Sequence, residues 1–122
     1  MRLAFATGNK GKLREALEIL GEGYELVTPA QLDIHEDIPE TGETLKENSL
    51  QKAEYLYARS GMDCFADDTG LEVDALGGAP GVYTARYGGE AHDPEANMAR
   101  LLKELSGQEN RKARFHTIVT FI

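Results

Sequence analysis

The sequence predicts an α/β domain, because segments with the period of a strand alternate along the chain with segments that have the period of a helix. The chain has 122 residues, the length of one compact domain, and 41% of them are hydrophobic, which is enough for a core. No internal repeat or low-complexity tract interrupts the alternation. We therefore expect a single domain over residues 1–122.

The first half of the chain predicts two strands, two helices and one long loop. Apolar residues run together or alternate in the strands, whereas in the helices they recur three and four positions apart. Gly21 and Gly61 are suited to end the two helices, and Thr44 with Glu47 forms a capping box at the start of the second. The loop is acidic and long for a compact domain, and such loops often carry function. In chain order we expect strand 3–6, helix 10–20, strand 24–27, loop 29–42 and helix 44–60.

The second half predicts a short strand at 64–66, alternation at 71–75, glycine-rich turns at 77–81, a helix and a final strand. Asp93 and Pro94 suit the N-cap and first position of the helix, whose apolar face is expected to be Met98, Leu101, Leu102 and Leu105. The final strand, residues 113–122, has apolar residues on both faces, which is typical of a strand deep in a sheet. We therefore expect that the chain is a portion of a longer protein or that another chain completes the sheet.

The composition limits the classes of function. A formal net charge of −8 argues against non-specific binding to nucleic-acid backbones, which needs a basic surface. An acidic protein can still bind a small anion through a few lysines, backbone N–H groups and a divalent cation. The single cysteine, Cys64, excludes an intrachain disulfide and is expected in the core, and the N-terminal apolar stretch is too short for a signal peptide. We expect a cytoplasmic protein that binds neither nucleic acid nor membrane.

The loop at residues 7–12, Thr-Gly-Asn-Lys-Gly-Lys, joins the first strand to the first helix. Backbone N–H groups at a helix N-terminus can face an anion, and Lys12 in the first turn could reach a phosphate. The loop is not a Walker A motif, because Thr7 occupies the position of the first glycine and Leu13 follows the lysine. The pattern leaves two interpretations open, a phosphate-binding loop or an ordinary turn with solvated lysines.

The Asp67-Asp68-Thr69-Gly70 run follows the short apolar strand. Adjacent carboxylates at a strand end point in different directions, so that one of them can face a ligand. Carboxylates are the ligands that Mg²⁺ takes in proteins, and a carboxylate could accept a proton from attacking water. The alternative is an Asp-rich β-turn, which is common. The local pattern does not decide between the two.

Acidic residues crowd the long loop and the start of the second helix. Most of them should be solvated or should stabilise the helix N-terminus, although one could bind a metal. These residues are Glu36, Asp37, Glu40, Glu43 and Glu47. Lys52 lies on the inner face of the second helix, where the pattern favours a lysine that extends its ammonium group to water.

Aromatic and basic residues follow the glycine-rich turns and could either stack on a base or cover the core. They are Tyr83, Arg86 and Tyr87. The three histidines, His35, His92 and His116, do not have the spacing of metal ligands.

Taken together, several segments resemble the Ham1/RdgB/inosine triphosphatase family. They occur in the family's order and span almost the whole chain, which a chance match would not do. The longest of them, at 66–87, is the most specific. The segments are ATGNKGK at 6–12, ETG at 40–42, ENSLQKA at 47–53, ADDTGLEVDALGGAPGVYTARY at 66–87 and ARFH at 113–116.

The resemblance implies a mixed α/β fold, with a long twisted sheet flanked by helices, a cleft between two lobes and usually a homodimer. It implies Mg²⁺-dependent hydrolysis of non-standard purine nucleoside triphosphates (ITP, dITP, XTP) to the monophosphate and pyrophosphate, which removes them from the nucleotide pool. Glu40 and Asp68 would hold the metal with Asp67 close by, and Asp68 would be the general base. The substrate-binding residues that it implies are Thr7, Gly8, Asn9, Lys12, Lys52 and Thr69.

The sequence departs from the family in one respect. A Phe-Gly-Tyr-Asp segment and a Ser-His-Arg segment, which read the purine in the family, do not occur in these 122 residues. We therefore expect the C-terminal part of the family fold to be missing, and the preferred purine and turnover by this chain alone stay open. The hypotheses are the pyrophosphatase itself, a shortened relative that binds nucleotide without turnover and folds by self-association, and a portion of a longer enzyme, which we favour.

Overall fold

The computed structural model describes residues 1–89 and 93–122. Its contacts separate the chain into two compact units, so the expectation of one domain stays a prediction. The first unit comprises Met1–Gly42, Lys46–Asp67 and Val119–Ile122, and the second comprises Glu43–Leu45 and Asp68–Ile118. The α-helices and strands of the described residues are β1 Arg2–Phe5, α1 Lys10–Leu20, β2 Glu25–Val27, α2 Leu45–Ser60, β3 Cys64–Val73, β4 Pro80–Gly81, α3 Pro94–Glu104 and β5 Ala113–Phe121.

Parallel strand pairing builds the first unit. Strand β1 pairs in parallel with β2 on one side and with β3 on the other, so that Ala4 is opposite Val27 and Cys64. The start of β3 also pairs with the end of the chain, where Cys64 and Ile122 exchange two backbone hydrogen bonds of 2.9 and 2.8 Å. The core is made of small residues and a few larger ones, which are Ala4, Ala6, Ile34, Ala53, Leu56, Cys64 and Ala66. The predicted α/β class is confirmed.

The helices of the first unit have the predicted bounds, because their end signals are local. Gly21 ends α1 with φ 79°, and its N–H donates to the carbonyl of Leu17. Gly61 follows α2 with φ 66°, a conformation that favours glycine. The inner face of α2, which carries Lys52, is buried except for Tyr57, which is 46% exposed. In α1, Leu17 is likewise 40% exposed.

Antiparallel pairing characterises the second unit, where Leu71 of β3 is opposite Gly81 of β4. This approach requires glycine at position 70, because a Cβ there would lie 2.5 Å from the carbonyl oxygen of Gly81. Helix α3 begins as predicted, with the Asp93 side chain accepting from the N–H of Glu95. Its predicted apolar face is only partly covered, since Met98 and Leu102 are exposed, whereas Leu101 and Leu105 are not.

Strand β3 is longer than the sequence predicts. Residues 67–70 lie inside a continuous ten-residue strand, so both the β-turn and the strand-end position expected for Asp67 and Asp68 were wrong. Local composition favours a turn here, but pairing of β3 with β4 and β5 supplies the hydrogen bonds that keep the backbone extended.

Strand β5 forms where predicted, and one of its faces is exposed in this chain. In the part of the chain that the structure describes it pairs with β3 and is not enclosed by partners on both sides. Phe115, Val119 and Phe121 share one face and are 74%, 63% and 59% exposed. The apolar pattern therefore predicted the strand correctly, and the expectation that a longer protein or another chain completes the sheet stays a prediction.

Candidate functional site

The loop between β1 and α1 is held by its own side chains. The hydroxyl of Thr7 accepts a hydrogen bond of 3.1 Å from the N–H of Asn9. The side chain of Asn9 caps the helix by accepting from the N–H of Lys12 at 3.1 Å. Such caps fix where a helix begins, so these residues set the direction in which the first turn of α1 points.

The N-terminus of α1 is a favourable place for an anion to bind. The first N–H groups of a helix have no partner within it, and here they belong to Lys10 and Gly11. The first turn of α1 contains no acidic residue that would neutralise the helix dipole. At Gly8 an added Cβ would meet nothing within 4 Å, so the chain leaves space beside the loop. The predicted phosphate-binding loop is thus open and electropositive at its backbone.

Lys12 forms an ion pair with Asp67. Its Nζ lies 3.0 Å from Asp67 Oδ2, and the two side chains are 36% and 14% exposed. The second oxygen of Asp67, Oδ1, is buried and has no hydrogen-bond partner among the described residues. A buried carboxylate oxygen without a partner is costly, so this atom is suited to a ligand such as a metal cation.

Lys52 forms another lysine–carboxylate ion pair in the first unit. Its Nζ lies 2.8 Å from Glu40 Oε1, with side chains 10% and 29% exposed. The expectation that Lys52 would extend to water was therefore wrong. The residue is 8% exposed, and the partner that allows an ammonium group to stay inside is Glu40 from the long loop.

A shared packing contact links the elements that carry the two pairs. The hydroxyl oxygen of Ser49, which is fully buried on α2, lies within hydrogen-bond distance of the carbonyl oxygen of Ala66, at 3.3 Å, and of Thr120 Oγ1, at 2.7 Å. Ala66 directly precedes Asp67 in β3, and Ser49 lies one helical turn before Lys52. Both pairs therefore belong to the region where α2 packs against β3.

Two glutamates of the acidic loop pair with different parts of α2. Glu36 accepts from the hydroxyl of Tyr55 at 2.8 Å and pairs with Arg59 at 3.4 Å. Hydrogen bonds, first from its own backbone and then from Tyr55, lower the pKa of the Glu36 carboxyl. Glu36 therefore fastens the loop to α2 at its exposed end, while Glu40 reaches the buried lysine.

Asp68 and Thr69 follow Asp67 in β3 and belong to the second unit. Successive strand residues face opposite sides, so Asp67 and Asp68 point in different directions. The Thr69 hydroxyl shares a hydrogen bond of 2.8 Å with that of Thr117. Within residues 1–89 and 93–122, no three His, Cys, Asp or Glu side chains converge as a ready-made metal centre. The metal role of Glu40, Asp67 and Asp68 stays a prediction.

Sequence reasoning missed two polar residues of α2 that hold the loop beside Glu40. Asn48 and Gln51 accept hydrogen bonds from the backbone of Gly42 and Thr41. A signal was present, because both lie on the same side of α2 as Lys52, at helical spacing.

The other residues singled out from the sequence differ in burial. Tyr87 is buried and donates to Glu104, so it covers the core, whereas Tyr83 is 46% exposed. Cys64 is fully buried and packs in the core as predicted, and burial raises the pKa of its thiol.

The histidines fit the expectation of scattered residues as far as they are described. His35 pairs with Asp33, and His116 lies 3.4 Å from Glu72. His92 lies outside the described residues. In the described ranges, no helix combines the length and apolar character that a membrane crossing needs.

Comparisons with known proteins match almost the whole chain. A family model described as the Ham1 family matches residues 3–122. The chain is 48% identical over 120 residues to a dITP/XTP pyrophosphatase of Flavobacterium johnsoniae, covering 98% of this chain and 62% of that protein. It is 49% identical over 122 residues to a dITP/XTP pyrophosphatase of Porphyromonas gingivalis, covering 99% of this chain and 63% of that protein. The chain thus spans less than two thirds of the length of these curated relatives.

Solved structures give the same result. The Staphylococcus aureus Ham1 protein superposes with a TM-score of 0.87 at 34% identity, covering 100% of this chain and 63% of that one. A HAM1 protein from Coxiella burnetii superposes with a TM-score of 0.90 at 30% identity, with the same coverage. Since the family model matches nearly every residue and the fold is the same, the chain belongs to the Ham1 family.

Proposed function

We propose that this chain carries the polyphosphate- and metal-binding part of an enzyme that hydrolyses ITP, dITP or XTP to the monophosphate and pyrophosphate. The observation that supports it most is the presence of two lysine–carboxylate pairs, Lys12–Asp67 and Lys52–Glu40, in one compact unit. Relatives 48% and 49% identical to the chain are named dITP/XTP pyrophosphatases. The proposal includes a cytoplasmic enzyme that acts as a homodimer and clears such nucleotides from the nucleotide pool.

Each ion pair contains one group that can bind the triphosphate and one that can bind its metal ion. A polyphosphate attracts the ammonium groups of Lys12 and Lys52, and a divalent cation attracts the carboxylates of Asp67 and Glu40. The paired state keeps all four charges compensated when no ligand is bound, which limits the cost of holding them away from water. Binding of nucleotide and metal then replaces internal pairs by pairs with the ligand.

The loop after β1 supplies the other substrate contacts that we propose. Backbone N–H groups around Gly8 and the start of α1 face the triphosphate, where the helix dipole favours negative charge. Thr7 and Asn9 are proposed to contribute through the loop that they shape, since their side-chain oxygens already accept backbone hydrogen bonds. Thr69 would contact the substrate from β3.

The carboxylates fit Mg²⁺ in number and type. Mg²⁺ usually takes one or two carboxylates and completes its octahedron with water and substrate phosphate, so a three-carboxylate cluster is not required. The buried Oδ1 of Asp67 is an oxygen that a cation would satisfy. We propose Glu40, Asp67 and Asp68 as the residues that hold it. When bound, Mg²⁺ neutralises charge that develops on the departing pyrophosphate.

The proposed reaction is an attack of water on the α-phosphorus. The new bond joins the water oxygen to that phosphorus, and the bond to the oxygen shared with the β-phosphate breaks, so pyrophosphate leaves with the electron pair. Asp68 accepts the proton of the water as general base. Lys12 and Lys52 hold the phosphates in place and stabilise the leaving group, which is the main source of rate in phosphoryl transfer.

The test is a product assay with dITP, ITP and XTP, with and without Mg²⁺. We expect Mg²⁺-dependent formation of one monophosphate and one pyrophosphate per nucleotide, measured by ³¹P NMR. Release of orthophosphate would contradict the reaction. A Mg²⁺-dependent rise in melting temperature with nucleotide but without product would instead indicate a protein that binds nucleotide and does not turn it over.

A further inference from the structure

Helix α2 holds the segment from Glu40 to Gly42 at every residue. Lys52 pairs with the carboxylate of Glu40 at 2.8 Å. The side-chain oxygen of Gln51 accepts from the N–H of Thr41 at 2.8 Å, and that of Asn48 accepts from the N–H of Gly42 at 2.7 Å. One face of α2 thus binds three consecutive residues of an otherwise irregular loop.

Gln51 binds Thr41 with both ends of its amide group. Besides accepting from the backbone N–H, it donates from Nε2 to the Thr41 hydroxyl at 3.0 Å. Two hydrogen bonds from one planar group fix the position of Thr41 and also its orientation, which a single bond would leave free to rotate. Since Glu40 is the preceding residue, its backbone is oriented by the same pair of bonds.

Asn48 and Gly42 fix the other end of the segment. Asn48 is only 1% exposed and Gly42 is half-buried, so competition from water for the Gly42 N–H is limited. A Cβ at position 42 would lie 2.6 Å from the Cβ of Glu47 and 2.8 Å from the side-chain oxygen of Asn48. The backbone approaches α2 so closely that only glycine fits without a shift.

We propose that Asn48 and Gln51 are positioning residues, which hold the segment so that the Glu40 carboxylate stays placed for both Lys52 and the metal. The inference rests on the proposed function, because it assigns these residues to the metal role proposed for Glu40. Hydrogen bonds behind a metal-binding carboxylate orient it and thereby raise metal affinity, since less freedom is lost on binding. Gln51 and Asn48 act through Glu40 and touch neither metal nor nucleotide themselves.

The test compares Mn²⁺ affinity, measured by electron paramagnetic resonance in the presence of a dITP analogue with a non-hydrolysable α,β-methylene bridge, with the melting temperature of each variant. Gln51→Met keeps the length and flexibility of the side chain but removes both bonds to Thr41. Glu54→Met makes the same new residue at an exposed position of α2 and serves as the matched control. We expect Gln51→Met to bind Mn²⁺ about tenfold more weakly, and Glu54→Met to bind it like the wild type.

Thr41 provides a second, milder pair of variants in case Gln51→Met does not fold. Thr41→Val removes the hydroxyl that Gln51 contacts, whereas Thr41→Ser retains it. We expect Thr41→Val to weaken Mn²⁺ binding and Thr41→Ser to restore the wild-type affinity. A purely structural role would lower the melting temperature of Thr41→Val without changing its Mn²⁺ affinity.

The outcomes separate this inference from the proposed function. Wild-type Mn²⁺ binding with equal affinities for Gln51→Met and Glu54→Met, or for Thr41→Val and Thr41→Ser, would overturn the positioning role alone. Absence of Mn²⁺ binding by the wild-type protein would overturn the proposed metal site, and this inference with it.

Discussion

The two lysine pairs of the first unit and an arginine pair of the second unit differ in how deeply their charged groups are buried. In the first unit, lysines pair with Asp67 and Glu40, and the most buried member, Lys52, is 8% exposed. In the second unit, Arg114 pairs with Glu72 at 2.7 Å, and its side chain is 76% exposed. Arginine at the surface loses little solvation and forms directed bonds, whereas a buried lysine gives up strong hydration when it pairs with a carboxylate.

The difference indicates which pairs the molecule keeps for a purpose other than stability. Surface ion pairs contribute little and cost little, so the Arg114–Glu72 pair needs no further explanation. Replacing a buried pair by apolar side chains is often neutral or stabilising, so burial of Lys52 with Glu40 is weak support for a purely structural role. Lysine also forms a compact point charge that can exchange a carboxylate for a phosphate. The lysine pairs are therefore the ones that we assign to ligand binding.

The largest effect should distinguish two carboxylates on the same strand. Asp68→Asn removes the proposed general base, and we expect kcat for pyrophosphate release to fall at least about 100-fold, the usual range for such a group. Glu72→Gln changes a carboxylate of β3 that pairs with Arg114, and kcat should remain near the wild-type value. Equal losses of activity in the two variants, with folded protein in both, would break the comparison.

A smaller effect should distinguish the Lys52–Glu40 pair from the Arg114–Glu72 pair by how much each contributes to the free energy of unfolding. Lys52→Met leaves Glu40 without the cation beside it, and we expect the free energy of unfolding to fall by about 2 kcal/mol, less than for a fully buried pair because Glu40 is partly exposed. The double variant Lys52→Met/Glu40→Gln should recover part of the loss. Urea unfolding measures the stability of these two variants and of Arg114→Met. The stability of Arg114→Met should be indistinguishable from that of the wild type. A large loss in Arg114→Met would contradict the assignment.

The smallest effect is a shift in the titration of Glu72. The hydrogen bond from Arg114, and secondarily that from His116, lowers the pKa of the Glu72 carboxyl below its ordinary value of 4.5. In Arg114→Gln we expect the pKa to rise toward that value, as measured by ¹³C NMR of the carboxyl group.

The sign of the linked stability change follows from this direction. A carboxylate whose pKa is lower in the folded state stabilises the protein at pH above the unfolded pKa, and this contribution disappears as pH falls through the folded pKa. Any advantage of the wild type over Arg114→Gln should therefore be present at neutral pH and absent in strong acid. An advantage that grew on acidification would contradict the proposed pair.

The sequence was most informative where the determining interactions are local. The bounds of α1 and α3 follow from Asn9, Gly21 and Asp93, which act on their own helix ends within a few residues. The extension of β3 through Asp67 and Asp68 was not predictable in this way, because it depends on pairing with strands far along the chain.

The candidate site shows the same division. The spacing marked the loop at residues 7–12 as a candidate and left an ordinary turn open. It could not give the partner of each lysine, since Lys12 pairs with a residue of β3 and Lys52 with one of the long loop. The resemblance to the family supplied Glu40 as a candidate, whereas only the structure reveals that Asn48 and Gln51 hold its segment.

The most direct test of the central claim compares two lysines of the same loop. Lys12 pairs with Asp67, and Lys10 is exposed at the start of α1. The measurement is the dissociation constant, by calorimetry with Mg²⁺, of a dITP analogue with an α,β-methylene bridge, which cannot release pyrophosphate. We predict that Lys12→Met weakens binding about tenfold or more, the loss of one charge-assisted hydrogen bond, while Lys10→Met changes it little. Equal weakening by the two substitutions would contradict the claim that the carboxylate-paired lysine is the one that binds the phosphates.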